Sequence, residues 1–211
     1  EWGYPPAPLP VPGMGPLHCS LATTPKGVVC WASGALYLFE AKAGSWRKLP
    51  LTGGKIGAAY GDRTGMCYDS KRDCLWLSSG GVAMMRYDMK SGALTVLENK
   101  GAVVFMRETV YVPEIDMLLN MMRWKNGKMA GNLAFDIEAG KWVGLDLPFE
   151  GKNQYISSRQ YWAVTDSRSL HYDPTYKVAL FFYTWKEVGA LRLEKAGLRT
   201  FEVKPPEPKK K

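Results

Sequence analysis

Three glycine turns at a constant interval constrain this chain more than any other feature. "FEAKAGSW" (39–46), "YDMKSGAL" (87–94) and "FDIEAGKW" (135–142) each set an aromatic beside an acid. A glycine follows four residues after each acid, and Gly44, Gly92 and Gly140 stand 48 residues apart. Leu193–Glu194 with Gly197 is a fourth copy, 57 residues on, with its turn one residue shorter. A second anchor precedes each copy. "CYDSKRDCLWL" (67–77), "YVPEIDMLL" (111–119) and "HYDPTYKVALFF" (171–182) read as strand, turn, strand, and "CSLATTPKGVVCW" (19–31) is a looser first version. Aspartate, proline and lysine in the turns with aromatic and β-branched flanks are hairpin chemistry. Each unit is therefore two hairpins, about four strands in about 48 residues, which is the size of a propeller blade. No helical periodicity competes with this reading. The expected fold is all-β, a β-propeller of four-stranded antiparallel blades near 17–51, 64–98, 107–147 and 167–203.

The pattern resembles kelch-type propeller repeats, whose blades end in a tyrosine-acid strand, a glycine turn and a tryptophan strand. Trp46 and Trp142 stand where that family's tryptophan would be, whereas Leu94 and Leu198 depart from it. The family's glycine doublet appears only as Gly80–Gly81. The resemblance covers roughly 17–203. Blades bury their faces against neighbours, so four of them form either an unclasped ring or an arc completed by another chain. Four-bladed rings of the hemopexin-like family are clasped by a disulfide between their ends. Here all four cysteines fall in blades 1 and 2, and that clasp is missing.

Outside the repeats, 1–16 is a Pro-rich extended lead and 204–211 a basic tail. The chain begins at Glu1 and reads as a processed or trimmed product, so the lack of a signal peptide says nothing of export. No apolar run is long enough to span a membrane. Of the formal charge of +8, the two ends carry +2 and the body +6. That excess allows anionic partners without demanding nucleic acid, and none is expected.

In an up-and-down blade the hairpin turns leave one end and the remaining connections the other. The connections are 52–63, 79–84, 99–108, 123–130, 148–166 and 184–189, and together they carry +5. They are also rich in flat and hydrogen-bonding side chains. Trp124, Lys125 and Asn126 lie in one of them; Tyr155, Arg159, Tyr161 and Trp162 lie in the long connection 148–166. Aromatics offer stacking planes, and arginine makes bidentate contact with carboxylate. These seven residues are the candidate ligand-binding set. Long ordered loops of this kind commonly carry function.

Cys67 and Cys74 flank one hairpin turn and Cys19 and Cys30 another, which suggests two residues opposite one another in each hairpin. Disulfides 67–74 and 19–30 are one expectation, pointing to a secreted or periplasmic location. Four free, buried thiols are the other. Cys67 and His171 occupy equivalent places on two innermost strands, with His18 and Cys19 nearby in blade 1, but blade 3 offers Val110 and the set is incomplete. No cofactor is expected. Two histidines, no phosphate-binding glycine loop and no nucleophile elbow give catalysis little support. The expected function is a non-catalytic scaffold that binds a protein partner, or a second copy completing the ring. An extracellular protein that binds or acts on a glycan, anionic ones included, is the first alternative. A metal- or redox-linked subunit is the second.

Overall fold

The computed structural model describes residues 10, 19–57, 64–79, 83–98, 109–120, 132–146, 170–184 and 187–202. Among them lie sixteen β-strands and no helix. The strands divide between two compact units, one holding β1–β8 and the other β9–β16.

In the first unit, β1 (Cys19–Thr24), β2 (Gly27–Ala32), β3 (Ala35–Glu40) and β4 (Ser45–Lys48) form one sheet in chain order. A second sheet repeats the plan with β5 (Thr64–Asp69), β6 (Cys74–Ser79), β7 (Ala83–Asp88) and β8 (Leu94–Glu98). Every pair is antiparallel. The second unit begins with β9 (Thr109–Val112), β10 (Met117–Asn120), β11 (Asn132–Asp136) and β12 (Lys141–Asp146). It continues with β13 (His171–Asp173), β14 (Val178–Thr184), β15 (Glu187–Leu191) and β16 (Arg199–Glu202). The protein is thus all-β, of propeller type, with four antiparallel blade-like sheets.

The repeat read from the sequence has a local cause. Gly44, Gly92, Gly140 and Gly197 all adopt positive φ, between 63° and 88°, in the turn after each third strand. A side chain there would strain the backbone. At Gly92 it would also meet Pro50, whose ring and carbonyl lie 3.0 Å from the place of a Cβ. Across the turn, Phe39 pairs with Trp46 and Phe135 with Trp142 in register. Their rings sit 5.1 and 5.5 Å apart, tilted and edge-on, as aromatic quadrupoles prefer. Tyr87 faces Leu94 in the same register.

The fourth sheet differs from the expected four strands. It has three, β13-β14-β15, and the strand expected to close it joins the third sheet, whose order is β16-β12-β11-β10-β9. The register sets Gly144 opposite Phe201 and Asp146 opposite Arg199. Leu193, in the turn that leads to β16, is buried in the core of the second unit with Val112, Leu119, Val143 and Ala179, and Leu198 packs against them.

The core of the first unit gathers Trp31, Leu36 and Leu38 of one sheet with Met66, Leu75, Leu77, Met85 and Tyr87 of the other. The connection after β4 also enters it. Leu49 and Ile56 are buried, the Tyr87 hydroxyl donates to Pro50 O at 2.8 Å, and Trp31 Nε1 donates to Gly57 O at 3.1 Å. Thr52 forms a parallel bridge with Ala93. Residues 52–57 are therefore tied down at Thr52, Ile56 and Gly57, while Gly53, Gly54 and Lys55 stay exposed. They close the wedge between two blades.

Candidate functional site

The seven residues expected to bind a ligand, Trp124, Lys125, Asn126, Tyr155, Arg159, Tyr161 and Trp162, lie outside the described residues. What the structure does describe is the opposite, turn-bearing end of each sheet, and there the first hairpin turn of blades 2, 3 and 4 can be compared position by position.

Each of these turns has four residues, 70–73, 113–116 and 174–177, and ends in a left-handed residue: Asp73 (φ 46°), Asp116 (φ 55°) and Lys177 (φ 54°). Aspartate tolerates that conformation, whereas in other non-glycine residues it costs about 1–2 kcal/mol. In blades 2 and 3 the aspartate is also used. The Tyr68 hydroxyl donates to Asp73 at 2.9 Å and the Tyr111 hydroxyl to Asp116 at 2.8 Å. Blade 4 has lysine in that position. Its tyrosine, Tyr172, turns instead to both carboxylate oxygens of Glu114 in the neighbouring turn, at 2.9 and 2.8 Å. Burial, and then Glu114, push the Tyr172 hydroxyl well above the ordinary tyrosine range.

The residue before the left-handed one varies more sharply. In blade 2 it is Arg72, whose guanidinium folds back onto Asp69 at 2.9 Å. In blade 3 it is Ile115, fully buried. In blade 4 it is Tyr176, 68% exposed, one of three large hydrophobic side chains that stand out among the described residues. Its backbone is nevertheless fixed. Asp173 Oδ1 accepts from the Thr175 and Tyr176 amides at 2.8 and 3.1 Å, and Arg192 Nη2 donates to Tyr176 O at 3.2 Å. Around Tyr176 lies a solvent-facing depression of about 440 Å³ lined by Glu114, Thr175, Lys177, Arg192 and Glu194. In the sequence, "HYDPTYKVALFF" marks the repeat without distinguishing Tyr176. Comparing the turns in register would have singled out Tyr176 and Lys177.

No protein-family model matches the chain, and no curated protein matches it. Among the described residues, no group of three histidine, cysteine or acidic side chains could hold a metal ion. His171 is exposed on β13 and Cys67 is buried on β5. No described helix is long and apolar enough to cross a membrane.

All four cysteines are buried free thiols. They are not opposite one another, as the hairpins suggested. Cys19 faces Ala32 while Cys30 faces Leu21, and Cys67 faces Trp76 while Cys74 faces Asp69. Each pair is diagonal, where Cα atoms typically lie at about 7–8 Å, beyond the usual disulfide span. Burial pushes Cys30 up to about 12, with Cys19 adding to it, and Cys74 up to about 12, with Asp69 adding to it. Burial also pushes Cys67 well above its ordinary value. A thiol-specific reagent at neutral pH should therefore find no reactive cysteine in the folded chain and four after denaturation. The raised values also fix a sign. Unfolded thiols ionise near their ordinary value of 9.0, so stability is intact below that pH and falls as the pH climbs towards about 12. Rapid labelling at pH 7 in the folded state would contradict this placement.

Proposed function

We propose that the chain is a non-catalytic, kelch-like propeller domain that recognises a protein partner through the connections opposite its hairpin turns. One observation carries the reading: the aspartates that open four of the described turns are committed to the fold. Asp69 and Asp173 each accept two turn amides, Asp88 accepts from the Lys90 and Ser91 amides, and Asp136 accepts from the Ala139 amide. The Ser91 amide and hydroxyl hold the Asp88 carboxyl below the usual carboxylate range. The blades are thus braced by these aspartates, while the connections carry +5 of the body's formal +6 together with three of the chain's eight tryptophans. Tryptophan and arginine are the residues that most often dominate an interface. In this reading Arg159 pairs with an acidic group of the partner and Trp162, with Trp124 and Tyr155, stacks against it.

The test is native mass spectrometry on chain purified gently from its source. A complex heavier than the 23.6 kDa chain is expected, composed of a second copy or another protein. The double variant Arg159→Ala, Trp162→Ala should weaken it about 1,000-fold, from two hot-spot losses of about 2 kcal/mol each, with an unchanged melting temperature. A bare monomer from the wild-type chain, or a complex that survives the double variant, overturns the reading.

A further inference from the structure

The turn end of blade 4 carries a second candidate, independent of the connections at the other end of the hairpins. Three turns with the same backbone plan place three different side chains at one position, and only in blade 4 is that side chain displayed to solvent. Folding does not require it, since Arg72 and Ile115 show two ways of tucking the position away. The next residue departs as well: Lys177 holds a left-handed conformation where the other two turns have aspartate. Both departures face the same depression, and the backbone beneath them is pinned on either side of Tyr176. A rigid turn that presents an aromatic ring and long polar side chains is preorganised for a ligand, because little freedom remains to be lost on binding.

The chemistry of the lining selects the ligand class. Glu114 and Glu194 balance Lys177 and Arg192, so the site favours neither sign of charge. A carboxylate accepts two hydrogen bonds side by side and a guanidinium donates two, which matches vicinal hydroxyl groups. The Tyr176 ring offers a flat apolar face for the C–H face of a pyranose. A volume of about 440 Å³ falls within the range of small-molecule sites, about 300–1,000 Å³. We propose that this depression binds a neutral saccharide by stacking on Tyr176 and hydrogen bonding to Glu114 and Arg192.

The experiment is calorimetric titration of the full chain with neutral tetrasaccharides (cello-, xylo-, manno-, malto- and chito-series) up to about 10 mM. At least one should bind saturably. Tyr176→Ala and Arg192→Ala should each weaken it about tenfold while the melting temperature holds. Lys177→Gly should relieve the left-handed strain and raise the melting temperature while leaving the stacking ring in place, so the saccharide should still bind. The exposed Lys42→Ala should change neither. Arg159→Ala with Trp162→Ala should leave saccharide binding intact, so this site and the partner-binding surface fail separately. No saturable binding, binding indifferent to Tyr176→Ala, or binding confined to acidic saccharides and abolished by salt each overturns the proposal.

Discussion

Asp69→Ala should cost about 3–5 kcal/mol of folding stability, a large share of the roughly 5–15 kcal/mol that holds a domain together. Asp69 ends β5 and its side chain is completely buried. Oδ1 accepts from the Lys71 and Arg72 amides at 2.9 and 3.1 Å; Oδ2 accepts from Arg72 Nη1 at 2.9 Å and Trp76 Nε1 at 3.1 Å. One carboxylate thus shapes the turn, anchors a guanidinium and satisfies the indole of a tryptophan that is only 2% exposed. Removing it strands those donors, each a penalty of about 1–3 kcal/mol where water cannot reach. Asp69→Asn should recover little, because its amide nitrogen would face Trp76 and Arg72, donor against donor. The comparison is internal. Asp173 holds the matching place in blade 4 but is only partly buried and braces two backbone amides, so Asp173→Ala should cost about 1–2 kcal/mol. Urea unfolding at pH 7 measures all three variants. Asp69→Ala at less than about 1 kcal/mol, or Asp69→Asn indistinguishable from wild type, would mean that the network is not formed.

The blade plan was legible because it rests on local chemistry. A glycine with positive φ, an acid whose carbonyl or side chain caps the turn, and an aromatic pair across it all fall within eight residues, and they recur. What was not legible depends on choices made at long range. Nothing in residues 199–202 says whether they pair with β15, the preceding strand, or with β12, more than fifty residues back. Both are edge positions, and the pairing with β12 sets Gly144 opposite Phe201 and Asp146 opposite Arg199. Residues 52–57 are polar and glycine-rich, as a free loop would be, yet Pro50, Thr52 and Gly57 supply the backbone groups that Tyr87, Gly92, Leu94 and Trp31 need. The spacing of the cysteines alone suggests thiols opposite one another, but the register offsets each pair by two residues, and the four free buried thiols that the sequence equally allows are what the fold holds. The expected binding residues fall outside the described chain, and Tyr176 was overlooked because an exposed aromatic in a turn looks ordinary until its counterparts are seen buried or folded back.

Trp31→Ala should have a comparable effect by a different route, about 3–5 kcal/mol, from loss of the largest kind of side chain in the core. Trp31 on β2 is wholly buried among residues of both sheets of the first unit, and its indole also holds the connection at Gly57. Because those neighbours come from two sheets and the link between them, they cannot all close on the cavity without breaking strand register. The cost should therefore be near the upper end of the range. Trp31→Phe keeps most of the ring and loses the bond to Gly57, which is exposed and can turn to water, so about 1–2 kcal/mol is expected. For a chain of this length the alanine variant should melt about 6–20 °C lower. Its location makes a further demand. Stability is held in cooperative units that open separately, and β1–β8 form one compact unit while β9–β16 form another. Hydrogen exchange in Trp31→Ala should accelerate across β1–β8 well beyond β9–β16. Equal acceleration in both would mean that sixteen strands open as one, and the cavity left by Trp31 would then be felt as strongly around Leu119 and Val143 as around Leu75.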